Sequence, residues 1–429
     1  MKERIAVIAG FRSPMTKAGG ALKNLTAHDL GARIAKEVVL RSKIDQSQID
    51  EVIIGNVAQP AEAANIARVI ALKAGIPQNV PAFTVHRNCA SGMEAMTSAA
   101  SKILNDEAEI ILAGGVESMS NIPLFFGKKM TALFANLMKA KTLGQKVSTI
   151  LSFRPSFLRP VVGMVQGLTD PISGLIMGCT AENVARDFKI TRRAQDEFAL
   201  RSHQRAEAAI AKGIFKEEII PVFNNDEKNS LMIEEDEGVR KGQKIEDLAK
   251  LKPYFEKGTG TVTVGNSSQV TDGAAFAILM RESKAHELGL QVLGYIRDFA
   301  YAGLDPSRMG LGPVFAAAKV FEKSGLQLSD MELIEINEAF AAQVIGCVRA
   351  FSDDEFCQKN FGRNAFGKID ENILNVNGGG VALGHPVGMS GARIIIHLLH
   401  ELRRRKKNRG LASLCIGGGQ GGAVIVEVS

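Results

Sequence analysis

The sequence predicts an α/β protein made of two copies of one strand–helix unit, with a long segment of different character inserted between them. Three observations carry that reading. The first third alternates strand and helix signals. The last third repeats the same grammar: residues 41–54 (RSKIDQSQIDEVII) and 323–336 (KSGLQLSDMELIEI) align without a gap, serines and apolar positions in one register. From 122 to about 258 the strand–helix rhythm breaks.

The elements follow in chain order. Ile5 to Ala9 is apolar and β-prone, a first strand. His28 to Leu40 places apolar residues at helical spacing, with Asp29 near its start. Val52 to Ile54 reads as a buried strand, and Phe83 to Val85 leads into a helix beginning near Ser91. Ile110 to Leu112 runs into Gly114 and Gly115. This alternation implies a layered structure on a largely parallel sheet. In the middle segment, TAENVARDFKITRRAQDEFALRSHQRAEAA carries two helical patterns, with Thr191 as an N-cap. The first unit resumes with TVTVGNSS, so its domain is discontinuous: 1–121 with 259–282, an inserted loop domain at 122–258, and a second domain at 283–429. In both units a reactive residue, Cys89 or His385, precedes a helix, a strand and a glycine cluster, and each is expected at a strand-to-helix turn.

Composition bounds the function. A chain of 429 residues, 45% of them apolar, is long enough for two or three cores. Its 43 glycines are clustered, which indicates tight turns and close backbone approach. Five widely spaced cysteines, without a Cys-x-x-Cys, argue against a disulfide framework or a zinc site and point to a reducing compartment. The opening MKERIAVIAGFRSP reads as a strand, not a signal peptide, and no apolar run is long enough to cross a bilayer. A soluble or at most peripheral protein is expected.

Four segments could carry chemistry. Cys89, in HRNCASGMEAM, stands at a helix start, where the positive end of the helix favours thiolate; the plainer reading is a small buried hydrophobe. His385, in NGGGVALGHPVGMSGAR, is flanked by glycines that let backbone approach a ligand or another backbone; a surface turn is the alternative. Cys415, in SLCIGGGQGGA, lies at a strand end whose glycines lack the lysine of a phosphate loop. In INEAFAAQ, Asn337 and Glu338 end the repeated strand, or simply cap a helix.

Taken together, NCASG, NEAFAAQ, GHPVGMSGAR and the C-x-GGG-x-G terminus resemble the thiolase family in order and spacing, and the resemblance spans essentially the whole chain. TVTVGNSSQVTDGAA and MGCTAENVA match further family segments. The resemblance implies a thiolase fold, two duplicated domains stacked as α-β-α-β-α layers. It implies an acyltransferase that cleaves 3-ketoacyl-CoA with CoA in fatty-acid β-oxidation, or condenses acyl-CoA in reverse. Cys89 would hold the acyl group, and Cys415 would give or take the proton. His385 would activate Cys89 and, with a water held by Asn337, bind one oxyanion. The N–H groups of Cys89 and Gly417 would bind the acyl-enzyme carbonyl. Ser268 and Arg240 would contact coenzyme A, and Met177 would line the acyl pocket. Coenzyme A and acyl-CoA enter as substrates, with no metal or permanently bound cofactor. A homodimer or dimer of dimers follows from the same likeness.

The charge is concentrated. Between Ile122 and Ile176 stand Lys128, Lys129, Lys139, Lys141, Lys146, Arg154 and Arg159 against one acid, Asp170; that surplus equals the net +6 of the chain. Phe125, Phe126, Phe134, Phe153 and Phe157 lie among them. Such a segment suits an anionic membrane or a protein groove, or is a solvated loop. It is similar to the long loop of trifunctional-complex β-subunits, whose partner is a hydratase/dehydrogenase α-subunit; that branch typically has histidine at the place of Asn337. Nucleic acid is not expected as a partner. Other readings are a biosynthetic acetoacetyl-CoA thiolase, a ketoacyl synthase (which would want histidine at Cys415) and a silent scaffold. The expected location is the cytoplasm, or the mitochondrial matrix in a eukaryote.

Overall fold

The computed structural model describes residues 3–226 and 230–429. The strands that build the core are β1 (Ile5–Arg12), β2 (Glu51–Gly55), β3 (Ala82–Val85), β4 (Ile110–Glu117), β5 (Thr271–Arg281), β6 (Gly294–Gly303), β7 (Leu333–Ile336), β8 (Arg409–Ile416) and β9 (Gln420–Glu427). The main helices are α1 (Ala27–Ser42), α2 (Ile66–Lys73), α3 (Ser91–Leu104), α4 (Lys128–Lys139), α5 (Leu143–Leu151), α6 (Met177–Asp187), α7 (Arg192–Ala211), α8 (Gly312–Ser324), α9 (Ala341–Phe351) and α10 (Val387–Arg405).

The strands run β3-β2-β4-β5-β1-β6-β9-β8-β7 in a 10-stranded sheet, the short Thr16–Lys17 pairing beside β5. The order is a palindrome of the duplicated unit: β2 corresponds to β7, β4 to β8, β5 to β9 and β1 to β6. The register seen in sequence holds in three dimensions. Helices α1 and α8 end at Ser42 and Ser324, and each is followed by a left-handed residue, Lys43 (φ 61°) and Gly325 (φ 72°). One 3₁₀ turn then follows, at Gln46–Gln48 and at Leu328–Asp330, before the paired strands. Lysine tolerates poorly what glycine takes freely there, so the C-terminal copy has the better helix terminator.

The sheet is mixed rather than largely parallel. β2 pairs in parallel with β3 and β4, and β7 with β8, but β4–β5, β5–β1, β8–β9 and β9–β6 are antiparallel. The cause is connection length. Only residues 417–419 join β8 to β9, and so short a turn permits only an antiparallel partner. In the N-terminal copy, residues 118–270 occupy the place of those three glycines. TVTVGNSS lies in that connection as irregular chain, and the strand begins at Thr271. Gly114 and Gly115 lie inside β4, not beyond it.

Five layers result, α-β-α-β-α. Successive strand residues face opposite cores: Val7, Ile111 and Ala113 point inward to α3 and α10, whereas Ala6, Leu112 and Phe276 face α1 and α2. In the second copy Leu414 joins the central core, and Leu411, Ala423 and Ile425 pack with α8 and α9. The two central helices meet through small residues. A Cβ on Gly92 of α3 would lie 2.8 Å from Gly388 O, and one on Gly391 of α10 would lie 2.7 Å from Met93 N. Glycine at these positions lets the helix starts touch, and so brings together the loops that precede them.

Candidate active site

The Cys89 loop joins β3 to α3. Asn88 takes φ 43°, and its carbonyl accepts from Ser91 N (3.0 Å) and Ser91 Oγ (2.7 Å), closing a tight turn over Cys89. Ser91 Oγ in turn accepts from Arg87 N at 2.9 Å. Cys89 is half-buried. Burial pushes its thiol above the ordinary range, and the Gly417 and Cys89 amides pull it back only in part; the Glu117 charge adds to the rise. The thiolate expected from a helix start is therefore corrected to a neutral resting thiol. α3 begins two residues later, at Ser91, so Cys89 lies ahead of the helix rather than in its first turn. Alkylation of the Cys89 peptide by iodoacetamide, followed by mass spectrometry, is expected to keep accelerating past pH 9 rather than level off near neutrality.

His385 lies between two helices, after the short helix Gly380–Leu383 and before α10, which corrects the expected strand-to-helix turn. Its N–H donates to Gln269 O at 3.1 Å. Its Nδ1 lies 2.5 Å from Ser390 Oγ, and that hydroxyl donates to Pro386 O at 2.9 Å. With its proton committed, Ser390 Oγ accepts, so His385 carries hydrogen on Nδ1 and a lone pair on Nε2. Nε2 is buried and has no partner among the described residues. Burial, then the Arg393 charge, lowers the imidazole pKa to about 4, which keeps it neutral and able to accept a proton.

Asn337 stands just beyond β7, its N–H donating to Ser413 O of the neighbouring strand at 2.9 Å. Its side-chain Oδ1 and Nδ2 are both buried without partners among the described residues. Next to it, Glu338 accepts from Ser202 Oγ (2.6 Å), Asn375 Nδ2 (2.9 Å) and Val381 N (3.2 Å), tying the segment to α7 and to the glycine-rich run before His385. Cys415 is fully buried on β8, and burial holds its thiol well above the ordinary range; the nearby Cys89 contributes next. Asn88 Nδ2 donates to Gly417 O at 2.7 Å, so the Cys89 loop and the turn after Cys415 are joined directly. Met177, at the start of α6, abuts that turn: a Cβ on Gly417 would lie 3.4 Å from its Sδ.

The structure thus brings Cys89, Cys415, Gly417 and Met177 together, with Asn337 tied to β8 two residues before Cys415 and His385 just ahead of the helix that packs on α3. Ser268 is half-buried, with its N–H on Ala339 O at 2.9 Å, one residue from Gln269, whose carbonyl holds His385. Arg240 is half-buried, its N–H donating to His203 Nδ1 at 3.1 Å. Burial, then the Arg240 and Lys17 charges, lowers His203 to about 4, leaving it neutral and able to accept.

Sequence reasoning passed over Ser390 and Glu117. Ser390 stands in the first turn of α10, five residues after His385, which itself lies outside the helix, so helical spacing does not link the two. Glu117 has no signal in the sequence either. It ends β4, and its carboxylate accepts from Asn56 Nδ2, Val57 N, Ala58 N and, at 2.9 Å, Gly388 N in the first turn of α10. Burial pushes it up to about 7 despite those donors. Buried, unpartnered atoms on His385 and Asn337 suit a carbonyl oxygen that gains charge when a sulfur attacks it.

Residues 5–283 match the family model described as thiolase, N-terminal domain, and residues 290–428 that described as thiolase, C-terminal domain. The chain is similar to a 3-ketoacyl-CoA thiolase of Pectobacterium atrosepticum, 39% identical over 429 residues that cover 100% of this chain and 97% of the relative. Among solved structures it is similar to the Bacillus anthracis acetyl-CoA acetyltransferase, with TM-score 0.87 and 39% identity, covering 100% of this chain and 99% of that one. It is also similar to human mitochondrial 3-ketoacyl-CoA thiolase in complex with CoA, with TM-score 0.85 and 37% identity, covering 100% of this chain and 98% of that one.

Proposed function

The chain belongs to the thiolase family, and on that premise we propose that it splits the C2–C3 bond of 3-ketoacyl-CoA by thiolysis, through an acyl group carried on Cys89. The observation that carries the reading is the buried His385 Nε2 and Asn337 amide, left without partners among the described residues. His385 Nε2 takes the Cys89 proton as sulfur attacks the ketone carbon. The ketone oxygen gains a negative charge, stabilised by the protonated imidazole and an Asn337-held water. As the C2–C3 bond breaks, its electron pair on C2 takes the proton of Cys415, and acetyl-CoA leaves. Incoming CoA returns a proton to Cys415 and attacks the thioester, whose carbonyl oxygen lies against the N–H groups of Cys89 and Gly417. Cys89 then recovers its proton from His385. Ser268 and Arg240 bind coenzyme A, and Met177 borders the acyl chain. CoA-dependent cleavage of acetoacetyl-CoA and of a long-chain 3-ketoacyl-CoA tests the proposal; no turnover of either overturns it. Turnover of acetoacetyl-CoA alone would favour the biosynthetic reading, to which the similarity with an acetyl-CoA acetyltransferase lends support.

The finer expectations on partners rest on the insert. Its hairpin (Leu124–Phe126 with Pro160–Val162) carries α4 and α5, and Leu124, Phe125, Phe126, Met138, Leu143, Ile150 and Leu151 are exposed among the lysines. Among the described residues no helix is long and apolar enough to cross a membrane. The segment is read as docking on an anionic lipid surface, or on an α-subunit that sits there, and the enzyme as a homodimer or dimer of dimers in the cytoplasm. Changing Lys128, Lys129, Lys139 and Lys141 to glutamate should reduce sedimentation with anionic vesicles or co-purification with the partner, and spare turnover of short substrates. Wild-type binding should weaken with salt, as the screening length falls from about 10 Å at 0.1 M to about 3 Å at 1 M. Wild-type protein that ignores both vesicles and a co-expressed α-subunit at low salt would make the insert a solvated loop.

A further inference from the structure

The amides of the second oxyanion pair come from opposite halves of the molecule. Cys89 lies in the turn between β3 and α3, and Gly417 in the turn between β8 and β9. The Cys89 side is rigid, because Ser91 bonds both ends of its turn. The Gly417 side is built of three successive glycines, with Gly418 at φ 87° and Gly419 at φ 79°. Such a run has no side chain of its own to hold a conformation. Further along, the turn is held by Leu304 N on Gly419 O (2.8 Å) and by Arg87 Nη1 on Gln420 Oε1 (3.3 Å). At Gly417 itself, among the described residues, the side-chain bond is the one from Asn88 Nδ2 to its carbonyl, at 2.7 Å.

We propose that Asn88 is a positioning residue: its side-chain amide holds the Gly417 N–H at the spacing from the Cys89 N–H that one thioester oxygen needs. The Gly417 N–H lies on the peptide plane shared with Ile416, which β8–β9 pairing holds, and its carbonyl on the next plane, so fixing the carbonyl clamps the two Gly417 torsions between them and with them the direction of its N–H. Asparagine suits the place doubly, since it tolerates the positive φ of the turn and supplies a donor just long enough to cross to the other half. The role in the oxyanion pair rests on the thiolase reading above, but the coupling of Asn88 to Gly417 can be tested without substrate. In the resting protein the same two amides act to lower the Cys89 thiol against the rise from burial.

The test uses the full chain with Asn88→Gly, which keeps the positive φ and removes the donor, and Asn88→Ser, whose hydroxyl is too short to reach. Alkylation of the Cys89 peptide by iodoacetamide is followed against pH, together with the single-turnover rate of Cys89 acylation by acyl-CoA, the Kd for CoA and Tm. Losing one amide contact to a thiolate should slow alkylation about tenfold at pH 8, a shift of its profile to higher pH. Acylation should slow by a similar factor, with Kd for CoA and Tm unchanged. A purely space-filling Asn88 would leave the alkylation profile in place, and wild-type profiles in both variants overturn the proposal. A Tm loss confined to Asn88→Gly leaves Asn88→Ser to decide. Wild-type protein that forms no acyl-enzyme would overturn the functional reading, while the alkylation shift would still decide whether Asn88 positions Gly417.

Discussion

Cys89→Ala is expected to abolish acyl-enzyme formation, with turnover falling by at least about four decades, as when other enzymes lose their nucleophile. Cys415→Ala is expected to lose turnover as well, yet to accept an acyl group from acyl-CoA. The difference follows from the roles proposed for the two sulfurs. In that mechanism Cys89, half-buried, forms the bond to the acyl carbon, and Cys415, fully buried with its thiol held well above the ordinary range, moves a proton on C2 rather than holding carbon. Intact-mass measurement after mixing each variant with acyl-CoA separates the roles. An adduct at full level in Cys89→Ala would remove it as nucleophile, and an unmodified Cys415→Ala would show that both sulfurs are needed for acylation.

Asn337→Ala should lower kcat by roughly one to three decades, the range for losing one contact to a developing oxyanion. CoA binding and Tm should hardly change. Both polar atoms of the side chain are buried without a partner among the described residues, so trimming it breaks no structural bond and removes a buried polar group that the fold does not use. The neighbouring Glu338 provides the contrast. Its carboxylate joins Ser202, Asn375 and Val381, so Glu338→Ala should show itself chiefly in Tm. Wild-type turnover in Asn337→Ala would place the oxyanion elsewhere.

Much of this was legible before any coordinates. Hydrophobic period and capping chemistry are local, so the strands at Ile5 and Val52, the helix start at Ser91 and the Thr191 cap all stand where the sequence puts them. The repeat was legible because two copies kept one register through a helix end, a 3₁₀ turn and a strand. The sheet's direction was not, because it depends on which strands become neighbours, and β5 finds β1 and β4 only across the long insert. Nor was the charge state of Cys89: a helix start is visible in sequence, whereas burial is a property of the whole fold. Glu117 was not legible either, since its partners lie at positions 56–58 and 388, which only folding brings together.

The two copies of the unit spent the same connection differently, and this shapes how the chain is assembled at the ribosome. In the C-terminal copy β9 follows β8 after three glycines, so that hairpin can close as soon as it is made. In the N-terminal copy β1 and β4 emerge early, but β5, the strand that lies between them, is not complete until residue 281. Throughout synthesis of residues 118–270 two largely apolar strand edges face outward without their shared partner, a state open to wrong pairing. Long-range closure of this kind is slow. The nascent N-terminal half should therefore depend on shielding until β5 arrives, and truncation before residue 271 should yield an aggregating fragment rather than a folded domain.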